Sequence, residues 1–170
     1  HVGHKAGGFV AGFGSQQMVL AAVQHLAGLV DVQDCAAHGI DEAIAGHCTK
    51  IDVTINADGS LSVVDNGRGI PTGIHKTEGK SAVEVVLTKL HAGGKFGGEG
   101  YKISGGLHGV GVSCVNALSD SLVAEVHREG HIFEQKYSKG KPLGPVEVVG
   151  ESDRTGTIIT FHPDDTIFTQ

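Results

Sequence analysis

The segment that organises the chain is Val63-Val64-Asp65-Asn66-Gly67-Arg68-Gly69-Ile70-Pro71. It begins with a β-branched run that ends in one acid, and two glycines on either side of an arginine follow. Leu61 and Val63 alternate with polar neighbours, and this alternation predicts a strand. The strand would deliver the carboxylate of Asp65 to a pocket, and the two glycines would let the backbone approach a ligand more closely than any side chain permits. The sequence therefore predicts a ligand site at the end of this strand.

Asp65 has two possible roles. A carboxylate at the end of a core strand accepts hydrogen bonds from a fixed donor, and the exocyclic amino group of adenine is such a donor. Asp-Asn-Gly is also common turn chemistry, so the same carboxylate fits an Asx turn that closes a hairpin. The segment by itself supports the two roles equally.

The composition limits the class of protein. The chain has 170 residues, 39% hydrophobic content and no apolar run of membrane-spanning length, which predicts one soluble domain with a real core and no membrane contact. A net charge of −6 argues against a free-standing nucleic-acid binder, so any DNA role would come from partner domains. Three cysteines without a Cys-Xaa-Xaa-Cys pair fit reduced thiols in a cytoplasmic protein. The chain opens on His1 instead of methionine, which suggests a fragment.

Hydrophobic spacing predicts the elements on both sides of Asp65. Helical spacing predicts core helices from Met18 to Val30 and from Ile40 to Ala45, the second stopped by Gly46. Lys50 to Asp65 reads as a hairpin that turns at Asp58-Gly59. A capping-box pattern starts a helix at Ser81 that we expect to end at His91. Further strands are expected at Leu122–Val126, His131–Tyr137, Val146–Val149 and Thr157–Phe161.

Nine glycines lie between Gly93 and Gly111, and an apolar stretch from Val112 to Leu118 follows directly. A flexible loop that ends at a helix N-terminus presents backbone N–H groups, which favour an anion such as a phosphate. A disordered linker is the alternative. The glycine spacing followed at once by a helix favours phosphate cradling.

The sequence does not contain a true Walker A loop or a dinucleotide-binding glycine motif. Gly73 to Ser81 resembles a Walker A loop, but five residues separate its glycines where the motif needs four, and no strand leads into it. No Gly-Xaa-Gly-Xaa-Xaa-Gly occurs, so a dinucleotide-binding oxidoreductase is disfavoured. His127 and His131 straddle a turn and are expected to be an exposed pair instead of a metal site.

Six blocks in order carry a family resemblance. They are Ile40-Asp-Glu-Ala-Ile-Ala-Gly46, Asp65-Asn-Gly-Arg-Gly-Ile-Pro-Thr-Gly-Ile-His75, Leu90-His-Ala-Gly-Gly-Lys-Phe96, Tyr101-Lys-Ile-Ser-Gly-Gly-Leu-His-Gly-Val-Gly-Val-Ser113, Val115-Asn-Ala-Leu-Ser119 and Thr155-Gly-Thr157. The segments from Ile40 to Phe168 resemble the N-terminal ATP-binding domain of bacterial DNA gyrase B and of its topoisomerase IV relative. The resemblance implies an α+β fold, the two-layer α/β sandwich with a mostly antiparallel sheet that gyrase shares with chaperone, histidine kinase and mismatch-repair ATPases. It divides the chain into an unmatched segment 1–39, with its core helix, and an ATP-binding domain 40–170 whose lid is 93–111.

The resemblance also assigns roles to residues. Asp65 would receive the adenine amino group, and Thr157 would support that contact. Lys95 and Tyr101 would approach the phosphates or the ribose. The loop after the strand would line the base and sugar with Gly67, Arg68, Gly69, Ile70 and Pro71. The end of the lid would supply backbone donors from Gly106, Leu107, His108, Gly109, Val110 and Gly111.

Inhibitors and partners follow from the same resemblance. Arg68 and Arg128, with Glu42, border the pocket where aminocoumarin inhibitors lie in the family, although Arg68 also fits a simple ion pair with Glu42. A gyrase A-type subunit and DNA would be partners only through regions that this chain does not contain. The fragment is expected to be monomeric, because the tyrosine-bearing dimerisation arm of the family is not recognisable in residues 1–33.

The chain departs from the family pattern upstream of Ile40. The general-base glutamate falls on Asp34, and the asparagine that binds Mg²⁺ falls on His38. Three hypotheses remain: an ATPase module that powers DNA supercoiling by a type IIA topoisomerase, a nucleotide-binding module with impaired hydrolysis, and another ATPase of the superfamily, which the gyrase-like blocks disfavour. The departure favours a chain that binds ATP and turns it over slowly.

Overall fold

The computed structural model describes residues 9–12, 32–89 and 111–167. In these ranges the chain forms three helices, α1 (Val32–Ile44), α2 (Ala82–Thr88) and α3 (Gly111–Ala117). It also forms eight strands of one sheet: β1 (Phe9–Gly12), β2 (Lys50–Ile55), β3 (Leu61–Asp65), β4 (Ser119–Arg128), β5 (His131–Ser138), β6 (Lys141–Pro142), β7 (Glu147–Glu151) and β8 (Gly156–Pro163). None of the helices in the described ranges is long and apolar enough to cross a membrane.

Every strand pair in the sheet is antiparallel. The order across the sheet is β1-β2-β3-β8-β4-β5-β6, and β7 also pairs with β5. The two strands at its centre, β3 and β8, are far apart in sequence, so the end of the chain returns to lie beside the strand that carries Asp65. The predicted α+β two-layer sandwich with a mostly antiparallel sheet is confirmed.

The hairpin of β2 and β3 forms as predicted. Ile51 pairs with Asp65 and Ile55 pairs with Leu61, which fixes the register of the strand that carries the acid. Gly59 has a φ of 84°, a value that glycine adopts without strain. The turn chemistry at Asp58-Gly59 therefore sets the position of Asp65 at the end of β3.

The pleat of β3 separates two faces of the sheet. Leu61, Val63 and Asp65 are buried on one face, and Ser62 and Val64 are half-buried on the other. Helix α1 covers the first face, because a Cβ built at Gly39 would lie 3.1 Å from the Cβ of Asp65. The side chains buried between this face and the helices form the core: Cys48, Ile51, Leu61, Val63, Ile70, Val83, Leu87, Val115, Leu122, Ala124, Val126, Tyr137, Ile159 and Phe161.

Two helix boundaries differ from the predictions. The helix predicted from Ile40 begins earlier, at Val32, and ends at Ile44 before Gly46, whose φ is 81°. The helix capped by the Ser81 hydroxyl, which accepts from the Glu84 N–H, ends at Thr88 and not at His91, because Lys89 is extended and its ammonium pairs with Glu78 at 2.9 Å. The helix predicted from Met18 to Val30 lies outside the described residues.

Candidate functional site

Asp65 lies at the end of β3 with only 7% of its surface exposed. Its Oδ1 accepts hydrogen bonds from the backbone N–H of Gly67 at 2.9 Å and of Thr157 at 3.3 Å. The first of these is an Asx turn, although it opens a loop and closes no hairpin. Among the described residues no group donates to Oδ2, so one oxygen of Asp65 shapes the turn and the other is left for a ligand.

The ionisation of Asp65 is set by opposing effects. Burial raises the pKa of this carboxyl, while the charge of His38 and the hydrogen bonds from Gly67 and Thr157 lower it, and the net effect is a raised pKa. The pKa is raised overall because the desolvation of the charged carboxylate outweighs the stabilisation that it receives from the two backbone N–H groups. A further N–H donor at Oδ2 would favour the ionised form.

The loop after Asp65 runs close to neighbouring strands. Gly69 has a φ of 79°, and a Cβ there would meet the carbonyl oxygen of His127 at 2.8 Å. A Cβ at Gly67 would lie 3.0 Å from the side chain of Glu42. The close approach that these glycines permit in the structure is therefore to the protein itself. Whether they also admit a ligand stays a prediction.

Thr157 on β8 connects the strand pair to this loop. Its hydroxyl oxygen accepts a hydrogen bond from the backbone N–H of Ile70 at 3.3 Å, and both residues are buried. Its own N–H binds Asp65. Pro71 follows at the half-buried edge of the loop. The structure thus brings Asp65, Thr157 and the loop from Gly67 to Pro71 together, as the resemblance implies.

Glu42 and Arg68 form an ion pair beneath the loop. Glu42 is fully buried, its Oε1 lies 2.9 Å from Arg68 Nη2, and its Oε2 accepts from the backbone N–H of Arg68 at 3.0 Å. Burial alone would raise the pKa of Glu42, but the hydrogen bonds from Arg68 outweigh it and lower the pKa to about 2. The ion pair expected from the sequence is therefore present, and the carboxylate of Glu42 is already committed to it.

Arg128, at the end of β4, binds the same loop from the other side. Its Nη1 donates to the carbonyl oxygen of Gly69 at 2.8 Å and to that of Arg68 at 3.4 Å. Glu42 and Arg128 thus both bind this loop, Glu42 through Arg68 and Arg128 through the carbonyl oxygens. Their role in an inhibitor pocket stays a prediction.

His38 lies on α1, one turn before Glu42, and its Nε2 is buried without a hydrogen-bond partner in the described part of the chain. Its charge affects the carboxyls of both Glu42 and Asp65. Mg²⁺ prefers oxygen ligands in near-octahedral geometry. The residues here do not fit that ion. His38 offers an imidazole nitrogen, Glu42 is already bound to Arg68, and the described ranges contain no cluster of three acids, histidines or cysteines.

Asp34 lies in the first turn of α1, and its side chain is outside the described part.

The predicted phosphate-binding residues fall mostly outside the described part of the chain. These are Lys95, Tyr101, Gly106, Leu107, His108, Gly109 and Val110. Gly111 is described and is the first residue of α3, so the helix expected after the glycine-rich segment is present.

Two features of the site did not follow from the sequence reasoning. The Oδ1 of Asn66 accepts from Cys48 Sγ and from the backbone N–H groups of Thr49 and Lys50, which fastens the start of β2 to the end of β3. The expected exposed histidine pair is wrong for His127, which is 4% exposed because its ring is held by Glu125 at 2.6 Å and a serine at 2.7 Å. The sequence signal for the Asn66 contacts was a polar residue directly after the acid that ends β3. No local sequence signal distinguished His127 as buried.

Comparison with known proteins gives a family match over most of the chain. The family model described as histidine kinase-, DNA gyrase B- and HSP90-like ATPase matches residues 18–167. This range holds all the site residues described above, and it extends upstream of Ile40.

Individual relatives agree with this match. The chain is 59% identical over 139 residues to the DNA gyrase B protein of Thermotoga maritima and 59% identical over 139 residues to that of Halalkalibacterium halodurans. It is 56% identical over 138 residues to the corresponding B protein of DNA topoisomerase 4 from Staphylococcus aureus. These alignments cover 81–82% of this chain but only 21–22% of each relative. The chain therefore spans about a fifth of the length of the curated relatives it matches.

Proposed function

Because the chain belongs to the family of histidine kinase-, DNA gyrase B- and HSP90-like ATPases, we propose that it binds ATP and recognises the adenine amino group through Asp65. One observation carries the proposal: Asp65 is buried, its Oδ1 is fixed by two backbone N–H groups, and its Oδ2 has no donor among the described residues. A carboxylate oxygen accepts hydrogen bonds from N–H donors, so Oδ2 is available to the amino group of adenine.

The loop and β8 supply the surroundings of the base in this proposal. Thr157 holds the N–H of Ile70, Glu42 holds the N–H of Arg68, and Arg128 holds the carbonyl oxygen of Gly69. A loop held at this many points keeps its shape before the ligand arrives, which reduces the entropy lost on binding. Adenine would therefore meet a preformed edge.

The phosphate end of the proposal rests on the resemblance. Lys95 and Tyr101, with the backbone from Gly106 to Gly111, would contact the triphosphate and ribose. The N-terminal end of α3 at Gly111 supports this arrangement, because the glycine-rich segment leads directly into it. These contacts remain proposals.

A binding module with weak hydrolysis is the second candidate. It is favoured by His38, which stands at the position of the family's Mg²⁺ ligand and whose Nε2 has no hydrogen-bond partner within the described residues. Asp34, at the position of the general base, is one methylene shorter than glutamate. A misplacement of about 1 Å costs about 10²-fold in rate. We therefore expect this chain to bind nucleotide but to hydrolyse it slowly.

Phosphate release separates the two candidates. The unmodified chain should release little phosphate in the presence of Mg²⁺ while it still binds an ATP analogue. The double variant Asp34→Glu with His38→Asn should restore part of the activity. Robust Mg²⁺-dependent hydrolysis by the unmodified chain would contradict impaired hydrolysis.

The wider activity belongs to the longer proteins and is proposed here by similarity. In that setting the chain would power DNA supercoiling by a type IIA topoisomerase in the cytoplasm, with a gyrase A-type subunit and DNA engaged by other regions. Aminocoumarin-type inhibitors would compete at the loop between Arg68 and Arg128. The isolated chain would be monomeric.

Base selectivity tests the adenine contact in the unmodified protein. Inosine triphosphate carries a carbonyl oxygen where ATP carries the amino group, so it presents an acceptor to the acceptor Oδ2. Calorimetry with non-hydrolysable analogues should show roughly tenfold or more weaker binding of the inosine form. Equal affinities would show that Asp65 does not recognise the amino group.

A further inference from the structure

Asn66-Gly67 is the only place in the sequence where an asparagine precedes a glycine. It lies directly after Asp65, which ends β3, and begins the loop that ends at Pro71. An asparagine in this position is chemically reactive, because the following residue has no Cβ to hinder the attack of its backbone nitrogen on the asparagine amide. A reaction at this step would change the main chain itself, immediately beside the carboxylate that is proposed to bind adenine.

The side-chain amide of Asn66 is held against the start of β2 by four hydrogen bonds. Its Oδ1 accepts from the backbone N–H groups of Thr49 and Lys50 at 2.9 Å each, and from Cys48 Sγ at 3.3 Å. Its Nδ2 donates to the hydroxyl oxygen of Thr49 at 2.9 Å. Turning the amide toward the nitrogen of Gly67 breaks these bonds, so the contacts with β2 oppose the reaction.

The attacking nitrogen is also restrained. The N–H of Gly67 donates to Asp65 Oδ1 at 2.9 Å. The reaction requires this nitrogen to lose its proton, and a carboxylate in contact with it disfavours the negative charge that results. Gly67 has little room to move toward α1, because a Cβ there would lie 3.0 Å from the side chain of Glu42. The fold therefore restrains both groups that must meet.

We propose that Asn66 is a deamidation site that the fold protects, and that the isoaspartate product displaces the loop after β3. In the first step the nitrogen of Gly67 gives its proton to a solvent base and forms a bond to Asn66 Cγ, while the Cγ–Nδ2 bond breaks and the amide leaves as ammonia. Water then opens the resulting cyclic imide. Hydrolysis at Cγ yields aspartate, and hydrolysis at the main-chain carbonyl carbon yields isoaspartate. The net change is the gain of water and the loss of ammonia.

The two products affect the loop differently. Aspartate keeps an acceptor for the backbone N–H groups at the start of β2 and loses only the donor to the Thr49 hydroxyl. Isoaspartate routes the main chain through the former side chain, which lengthens it by one carbon, about 1.5 Å. A shift of that size separates the Gly67 N–H from Asp65. It also separates the Arg68 N–H from Glu42. Isoaspartate therefore removes contacts that shape the loop and, if the proposed function holds, removes adenine binding with them.

Protection by the fold is tested by the rate of reaction in the unmodified chain. The protein is kept at mildly alkaline pH, either folded or unfolded in urea, and the peptide that contains Asn66 is analysed by mass spectrometry for aspartate and isoaspartate. Folding should slow the reaction at least roughly tenfold, because several hydrogen bonds must open first. Asn56 precedes an alanine, so it is the internal control that should react slowly even in urea. Equal rates in the two states, or no reaction of Asn66 in urea, would overturn the proposal.

Thr49→Val tests whether the contacts of the amide give the protection. It removes the acceptor of Asn66 Nδ2 at an exposed position and should speed deamidation of the folded protein roughly threefold or more. Thr54→Val is the matched control, because Thr54 lies opposite Ser62 and away from Asn66, and it should leave the rate unchanged. Thermal unfolding checks that both variants are folded. Equal rates in the two variants would contradict protection by these hydrogen bonds.

The consequence for the loop is read from the stoichiometry with which a non-hydrolysable ATP analogue binds, measured by calorimetry, and this readout rests on the proposed function. Protein that has reacted in urea and been refolded should lose binding sites in proportion to its isoaspartate content, whereas Asn66→Asp should keep them. Full stoichiometry despite isoaspartate would contradict the displaced loop. An unmodified chain that binds no analogue would instead refute the proposed function, and the rates of reaction would still decide whether the fold protects Asn66.

Discussion

Glu42 of α1 and Arg68 of the loop after β3 form a two-pronged ion pair, with Oε1 2.9 Å from Nη2 and Oε2 3.1 Å from Nε. Arg68 also donates its backbone N–H to Oε2 at 3.0 Å. Three donors from one residue thus satisfy a carboxylate that is fully buried. This contact ties the helical layer to the loop that follows Asp65.

Arg68→Met should destabilise the protein strongly. The substitution leaves Glu42 as a buried charge without its guanidinium partner, which costs about 3–5 kcal/mol of unfolding free energy. Lys89→Met is the matched control, because it breaks an ion pair whose lysine side chain is half exposed and should cost less than about 1 kcal/mol. Urea denaturation measures both, and similar losses in the two variants would contradict the role given to the buried pair.

The same pair makes stability depend on pH at the acid end. The pKa of Glu42 is about 2 in the folded protein and 4.5 in its ordinary state. A lowered pKa gives stability that is complete above the ordinary value and is lost as the pH falls toward 2, by roughly 3 kcal/mol in total. Glu42→Gln should remove that part of the slope between pH 6 and pH 3.

The comparison between parent and Glu42→Gln is needed because Asp65 acts in the opposite direction. Burial raises the pKa of Asp65, so its contribution to stability is present at low pH and is lost as the pH rises through the raised value. The difference between the two proteins isolates Glu42. Identical pH profiles would show that this carboxylate gains nothing from Arg68 on folding.

Sequence reasoning located Asp65 because its signals are local. Alternation along β3 and the turn at Asp58-Gly59 fix the register of the hairpin, and register decides which residue ends the strand. The ion pair of Glu42 and Arg68 was also foreseeable, since few partners suit a buried glutamate.

Other parts of the site depend on contacts between distant segments. The N–H of Thr157 reaches Asp65 only because β8 pairs with β3 across 92 residues of sequence. The burial of His127 depends on Ser152, which a separate loop brings to it. Hydrophobic periodicity placed the start of α1 at Ile40, because residues 32–39 contain no strong helical periodicity, and only the family resemblance placed Asp34 and His38 on a helix. Patterns along the chain carry no information on such pairings.

Gly69→Ala should destabilise the loop that lines the proposed adenine site. An alanine at a φ of 79° costs about 1–2 kcal/mol, and its Cβ would also meet the carbonyl oxygen of His127 at 2.8 Å. We expect a loss of about 2 kcal/mol or more and weaker binding of an ATP analogue. Gly73→Ala is the control, because nothing lies within 4 Å of a Cβ there and its φ is not positive. Equal stability of the two variants would show that the loop adapts freely.

Asn66→Ala should loosen the junction of β2 and β3. The side-chain oxygen of Asn66 accepts from Cys48 Sγ at 3.3 Å and from the N–H groups of Thr49 and Lys50 at 2.9 Å each. Losing these bonds should cost about 1–3 kcal/mol. Asn66→Asp keeps the acceptor and loses only the donor to the Thr49 hydroxyl, so it should retain most of the stability. Thermal unfolding checks the order, and an aspartate variant as unstable as the alanine variant would count against the acceptor role.

Calorimetric titration of Asp65→Asn with a non-hydrolysable ATP analogue tests the central claim most directly. The variant replaces the carboxylate by an amide of the same size, which removes the charge and turns one of the two acceptor oxygens into an NH₂ donor. Asp153→Asn is the matched control at an exposed position. The loss of one charge-assisted hydrogen bond in a buried site costs about 1.5–3 kcal/mol, so affinity should fall roughly tenfold to hundredfold in Asp65→Asn and stay unchanged in Asp153→Asn. Undiminished affinity in a folded Asp65→Asn protein would contradict the assignment of Asp65 as the adenine acceptor.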